Sequence, residues 1–330
     1  MTPSVTPATV SLSHLDGLWL QVTGTLCNLA CTHCFNSSGP GVRTFTQLEP
    51  EEVSRELRTA AAMGVKEIFF TGGEPFLHPQ LTGMLREVLE VAPTTVLTNG
   101  TMLREAMVAQ LALIERAARY SLEIRISLDG YTAESNDAIR GAGVFHRVLD
   151  AVACMSRHRL LPLVTIVRTW PEEEELDVIA GFVRTLEEAG YARPRLKILP
   201  PLPLGRAIAA VPHLPGATPH TSRMRDRSPI SVESAEEPRG ISIEMMQGFD
   251  ADLLMCSNSR IITSRGVWVC PLLVEIPEAR MGGDLASSAG GFSLAHHACE
   301  TCYHYGSLCS NVSSGIEGLP AMPQAPDEEK

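Results

Sequence analysis

The chain lacks an excess of positive charge. Its 27 Lys and Arg face 38 Asp and Glu, for a net charge of −11. A nucleic-acid binder would show a basic face, so that class is disfavoured. It also lacks any apolar run approaching the roughly 18 residues that suggest a membrane span. Residues 1–15 carry no basic region followed by an apolar core of signal length, which leaves secretion unsupported. The nine cysteines are therefore not read as a disulfide framework, and the expected compartment is the cytoplasm. Only about 15 residues precede the first predicted strand, too few for a domain of their own.

What is present is an alternation of apolar runs and amphipathic stretches. Strands are predicted at 17–23, 65–70, 95–100, 122–128, 163–168 and 195–199, and helices from Pro50 to Gly64 and over 79–92, 103–118, 146–157 and 174–189. Six strands in this alternation imply an α/β fold with a parallel sheet. They are too few for a closed eight-fold barrel, and a partial (β/α)6 barrel fits. Such folds place their chemistry at the C-terminal ends of the strands. The expected division is a tail over 1–14, the barrel over 15–200, a connection or lid over 201–250, a cysteine-rich extension over 251–312 and a tail over 313–330.

Cysteines at short spacing in a cytosolic chain read as metal ligands. Cys27, Cys31 and Cys34 form a Cys-x3-Cys-x2-Cys pattern directly after the first strand. Thiolates so placed can converge on an iron–sulfur cluster, with one iron of a cubane left open to a small molecule. Gly72-Gly73-Glu74-Pro75 ends the second strand, Asn99 the third, and Ser127 and Asp129 the fourth; Arg140 follows in Ile139-Arg140-Gly141. Each also has a plainer reading, as a turn, a strand-end cap or a surface arginine. His78 is read as a satisfied or exposed histidine, and Cys154, in an apolar helix, as a small hydrophobe without a role. Cys256, Cys270, Cys299, Cys302 and Cys309 form a second group near the C-terminus; the same sulfurs would also suit a structural zinc ion.

The cysteine triplet, the GGEP turn and the strand-four residues, in this order, resemble the radical S-adenosylmethionine (SAM) enzymes. Many members have an aromatic residue before the last cysteine; here His33 holds that place and Phe35 follows. The resemblance covers roughly residues 15–200. It implies a TIM-like partial barrel and a 4Fe–4S cluster on Cys27, Cys31 and Cys34. It also implies SAM contacts from Phe35, Gly72, Gly73, Glu74, Pro75, Asn99, Ser127, Asp129 and Arg140. The second cysteine group resembles the SPASM or shorter Twitch extension, which implies an auxiliary 4Fe–4S cluster. Cys256, Cys270, Cys299 and Cys302 match the Twitch order, with Cys309 as a substitute or spare. The Leu204-Gly205-Arg206-Ala207 run resembles one that follows the barrel in relatives with auxiliary clusters.

The implied activity is reductive cleavage of SAM to a 5′-deoxyadenosyl radical, which abstracts a hydrogen atom from a peptide or small molecule. The implied partners are an external electron donor such as flavodoxin or ferredoxin and, for a peptide substrate, a separate leader-binding chain. Two alternatives are a small-molecule dehydrogenase of the same family and an iron–sulfur electron carrier without a substrate. A zinc-stapled binding module is a third, for which the Cys27 loop is an odd choice.

Overall fold

A computed structural model of the chain describes residues 6–202, 204–210 and 240–305. Its first part comprises β1 (Thr9–Val10), β2 (Gly17–Gln21), α1 (Pro50–Ala62), β3 (Glu67–Thr71), α2 (Leu81–Val88), β4 (Thr94–Thr98) and α3 (Glu105–Ala117). Next come β5 (Leu122–Ser127), α4 (Ala133–Arg140), α5 (Val144–Arg157), β6 (Leu163–Val167), α6 (Glu175–Glu188) and β7 (Arg195–Leu199). The remainder holds α7 (Ala207–Ala210), α8 (Met255–Asn258), β8 (Ser259–Thr263), β9 (Gly266–Trp268), β10 (Arg280–Gly282), β11 (Phe292–Ser293) and α9 (Ala298–Tyr305).

Nine strands form one sheet in the order β10-β9-β8-β2-β3-β4-β5-β6-β7. The six strands β2 to β7 are mutually parallel, as the alternation predicts. Parallel strands are covered on both faces, which is why β2 reads as an unbroken buried run. Alternation of side chains then divides them between two cores. Leu18, Leu20, Ile68 and Phe70 pack into the core under the helices. Trp19 and Phe69, register partners on β2 and β3, face the other way. Their rings stack with centroids 4.1 Å apart, and they join the core that contains Cys256, Cys270, Cys299 and Cys302. The helices follow their sequence cues. In α1, Pro50 opens the helix, Glu51 and Glu52 fill its first turn, and Val53, Leu57 and Ala60 face inward.

Three features go beyond the sequence reading. β8 lies parallel to β2, with Gly17 opposite Ser259 and Leu20 opposite Ile262, so the extension continues the barrel sheet. Only two of its five residues are aliphatic, and that run is too weak to announce a strand. α4, absent from the predicted elements, is eight residues long and opened by a Thr132–Ser135 capping box. Within the segment expected to be a tail, Thr9 and Val10 pair with β11, and Ala8 exchanges hydrogen bonds with Ile241 and Leu294. Among the described residues no helix is long and apolar enough to cross a membrane.

Candidate metal and cofactor site

The loop carrying Cys27, Cys31 and Cys34 leaves the C-terminal end of β2. It is held from several sides. Asn99 donates from Nδ2 to Asn28 Oδ1 at 2.9 Å and approaches Cys27 Sγ at 3.7 Å. Asn28 Nδ2 donates to Thr101 Oγ1 at 2.8 Å. The Cys34 thiol donates to Asn36 Oδ1 at 2.9 Å, and Asn36 Nδ2 donates to the Gly72 carbonyl at 3.4 Å. Burial pushes the metal-free Cys27 thiol up to about 11. Burial also raises Cys31, against the pull of Arg140 and Arg206. Metal ligation reverses this preference, because the ligating form is the thiolate.

The GGEP turn packs against the same loop. A Cβ on Gly73 would lie 2.1 Å from the Leu26 carbonyl oxygen, and one on Gly72 would lie 2.2 Å from Thr23 Oγ1. The two glycines thus serve a close backbone approach between β3's end and the cysteine loop. Glu74 is fully buried. Its Oε1 accepts from Thr98 Oγ1 at 2.7 Å and Phe76 N at 3.1 Å, and its Oε2 accepts from Asn99 N at 2.8 Å. Burial pushes its carboxyl up, while these donors oppose the shift. Pro75 opens the short 3-10 turn that follows.

Asp129 and Arg140, each read from sequence as a cofactor contact, also pair with one another. Arg140 Nε lies 2.6 Å from Asp129 Oδ2, and both side chains are buried. His33 Nε2 shares the same oxygen at 2.6 Å, and Val167 N donates to Oδ1 at 2.8 Å. Burial alone would raise the Asp129 carboxyl, but Arg140 and His33 hold it well below the usual range. The trio ties the cysteine loop to β5, β6 and α4. α4 is what brings Arg140 back over the strand ends. Ser127 ends β5 half-buried, in register with Thr165. Phe35 is partly buried against the second core. His78 is buried, its Nε2 against the Leu48 carbonyl at 3.0 Å, a satisfied histidine as expected.

Arg206 is a site residue that spacing alone did not supply. Its Nε, Nη1 and Nη2 donate to the carbonyls of Cys31, Ser37 and Ser38 at 3.0, 3.1 and 2.6 Å. Its backbone N–H donates to the Cys34 carbonyl at 3.0 Å. Gly205 (φ +55°) lets this approach happen, since a Cβ there would meet the Phe35 carbonyl oxygen at 2.3 Å. The Leu204-Gly205-Arg206-Ala207 run was the available signal.

The second sulfur group converges as well. Cys256 on α8, Cys270 before the Pro271 turn, and Cys299 and Cys302 on α9 line one cavity, walled otherwise by Leu, Met, Phe and Ala. All four are buried. Burial and mutual repulsion raise the Cys256 thiol to about 12 and that of Cys302 well above its ordinary value. Beside them Arg260 is wholly buried on β8, donating to the carbonyls of Cys256, Ser259 and Ser288. Cys309 lies outside the described residues.

Both sulfur groups fit metal clusters on the molecule's own terms. Among the described residues, Thr23 Oγ1, His33 Nδ1 and Gln21 Oε1 are buried without a hydrogen-bond partner around the end of β2, the sort of unmet capacity that a bound polar ligand explains. Arg260 is a buried cation beside thiols, with its Nη2 also unpartnered. A buried cation of this kind calls for negative charge, which a thiolate-ligated centre provides.

Residues 22–180 match the family model described as the Radical SAM superfamily. The mycofactocin maturase MftC of Mycobacterium ulcerans is 36% identical over 134 residues, covering 38% of this chain and 32% of that protein. MftC of Mycolicibacterium smegmatis is 25% identical over 337 residues, covering 92% of this chain and 79% of that protein. The GTP 3′,8-cyclase of Lactiplantibacillus plantarum is 29% identical over 160 residues, 46% of each chain. The chain thus spans 32 to 46% of the length of the first of these relatives. Among solved structures, native anSMEcpe with bound AdoMet and Cp18Cys peptide shares the fold at TM-score 0.54 and 15% identity, over 82% of this chain and 79% of that one. The ordered motifs, the six-strand parallel sheet and the family match agree: residues 22–180 form a domain of the radical SAM superfamily, followed by a cysteine-rich C-terminal extension.

Proposed function

We propose that the protein is a radical SAM enzyme that modifies a peptide, with Cys27, Cys31 and Cys34 holding the 4Fe–4S cluster that binds SAM. When bound, the cluster and SAM supply reductive cleavage of the sulfonium and abstraction of a hydrogen atom from the substrate. The observation that carries this reading is the cysteine loop itself, clamped at the strand ends by the GGEP turn, Asn99, the Asp129–Arg140 pair and Arg206.

The chain's own residues orient and shield. Glu74 fixes the ends of β3 and β4 against each other through its three donors. Its Oε2 keeps lone-pair capacity toward a cationic ligand group. Asp129 and Arg140 set the height of the loop over β5, and Ser127, Phe35 and the Gly72–Pro75 turn line the approach to it. The Trp19–Phe69 stack supplies an apolar wall on the barrel's inner face. Cys256, Cys270, Cys299 and Cys302 would hold an auxiliary 4Fe–4S cluster, which would supply a second redox or substrate-binding centre. The electron donor is a flavodoxin or ferredoxin in the cytoplasm, and a separate chain grips the peptide's leader.

The peptide class is favoured over a small molecule by the extent of the likeness. Similarity to MftC runs through 92% of the chain, extension included, whereas that to the GTP cyclase stops at 46%. The test uses anaerobically reconstituted protein with dithionite and SAM. About eight irons per chain are expected, with formation of 5′-deoxyadenosine and methionine. Short peptides encoded beside the chain's gene should raise that yield and change mass, and GTP should do neither. Absence of SAM cleavage, or its retention in Cys31→Ala, would sink the site assignment; stimulation by GTP alone would overturn the peptide class.

A further inference from the structure

Apart from both sulfur centres, α3 and α5 bring together three side chains of different ligating chemistry. Glu105 is the first residue of α3, while Cys154 and His158 stand four residues apart along α5, His158 at its C-terminal cap. Four residues is just over one helical turn, so the two side chains share a face. His158 Nε2 lies 2.5 Å from Glu105 Oε1, and Cys154 Sγ lies 3.2 Å from Glu105 Oε2. The three ligand atoms all fall within 4.8 Å of one another.

We propose that Glu105, Cys154 and His158 form a zinc-binding site, with water in the fourth position, that staples the start of α3 to the end of α5. A sulfur, an imidazole nitrogen and a carboxylate oxygen make the mixed, borderline-soft set that Zn²⁺ takes. Mg²⁺ and Ca²⁺ want all-oxygen shells and are poor occupants. Zinc bonds of about 2.0 Å to N and O and about 2.3 Å to S require donors roughly 3.3–3.5 Å apart in a tetrahedron. The S–O separation, to Glu105 Oε2, is about 0.3 Å short of this. The N–O separation, to the other carboxylate oxygen Oε1, must widen by about 0.8 Å; both are small adjustments for a Glu105 side chain that is 66% exposed and can turn one oxygen to the ion.

Burial is graded in the useful sense. Cys154 is the floor, His158 is partly covered and Glu105 is at the rim, so an ion enters from solvent on the Glu105 side. Binding releases the Cys154 proton to solvent and leaves thiolate and carboxylate balanced by the ion. Arg157, whose Nη2 is 3.3 Å from Glu105 Oε2, is 64% exposed and free to swing aside. Glu105 lies four residues after Thr101, the hydrogen-bond partner of Asn28 in the cysteine loop, so the staple steadies a segment that supports that loop.

The test is a zinc titration of the full chain against a chromophoric chelator. Wild type, E105Q and H158A are run side by side, so that zinc taken by other thiols cancels. About one Zn²⁺ per chain should be lost from each variant, or weakened by more than the roughly 10–100-fold typical of an outer-shell partner. Zinc should also raise the melting temperature of wild type more than that of E105Q. E105Q alters an exposed side chain and keeps the fold. Equal zinc affinity and equal thermal shift in wild type and both variants would overturn the proposal, as would zinc uptake matched only by loss of iron.

Discussion

Arg206→Ala isolates what holds the cysteine loop. The substitution deletes three charge-assisted hydrogen bonds to the carbonyls of Cys31, Ser37 and Ser38. It leaves the backbone bond from residue 206 to the Cys34 carbonyl. Such bonds can cost about 1.5–3 kcal/mol each when broken in an interior, but Arg206 is only partly buried and water can reach the orphaned carbonyls. About 1 kcal/mol apiece is the appropriate scale, or about 3 kcal/mol in all. That is roughly a hundredfold in the balance between closed and open loop.

The loss is local, because no core side chain moves, so the melting temperature should change little while loop opening rises. Hydrogen exchange on the metal-free chain reads this directly. Amides over residues 31–38 should exchange roughly a hundredfold faster in Arg206→Ala, with α1 to α3 unaffected. Arg206→Lys, keeping the charge without the fork, should fall between. Gly205→Ala should be worse than either, since its Cβ strikes the Phe35 carbonyl and forces the whole run away. After reconstitution, the same order should appear in the rate of iron loss to a chelator. Wild-type exchange over 31–38 in Arg206→Ala would refute the reasoning, because the three bonds would then contribute nothing to loop closure.

Asp129→Asn should destabilise the chain by about 3–5 kcal/mol in urea unfolding at pH 7, because it leaves Arg140 buried without its counter-ion. The Asp129 carboxyl is depressed in the folded state. Its contribution is thus complete above the unfolded value of about 4 and is lost as pH falls below it. The gap between wild type and variant should therefore narrow below about pH 4, and a gap independent of pH would contradict the ion-pair assignment. Arg260→Met removes the buried cation beside Cys256 and Cys270. The midpoint potential of a cluster held there should drop by roughly tens of millivolts, read by an EPR-monitored redox titration; an unchanged potential would remove Arg260 from the electrostatics of that centre.

What the sequence made legible is what depends on neighbours along the chain. The parallel strands were readable because burial on both faces demands unbroken apolar runs, and the cysteine loop because its three cysteines lie within eight residues. The glycines of the GGEP turn were noticed for a correct reason, close approach, but the approach is to the Leu26 and Thr23 region of the chain itself. Polar contacts between distant segments left no local trace. The pairing of Asp129 with Arg140 went unannounced because α4, which joins them, is short and polar, and Arg206 reaches carbonyls more than 165 positions away.

The same contrast governs charge. The composition shows an acidic chain, yet its buried cations are not spread evenly. Buried Arg140 and partly buried Arg206 bear on Cys31, and buried Arg260 on Cys256 and Cys270. Arg125, also buried, is neutralised by Glu123 at 2.8 Å. Among the described residues, Arg260 has no carboxylate among its hydrogen-bond acceptors. A buried guanidinium without one is costly unless something anionic occupies its neighbourhood. Four thiols in an apolar cavity become that anion only when they ligate metal, since burial otherwise keeps them protonated. The fold around β8 is therefore electrostatically complete with a thiolate-held centre and incomplete without one, which net charge alone could not reveal.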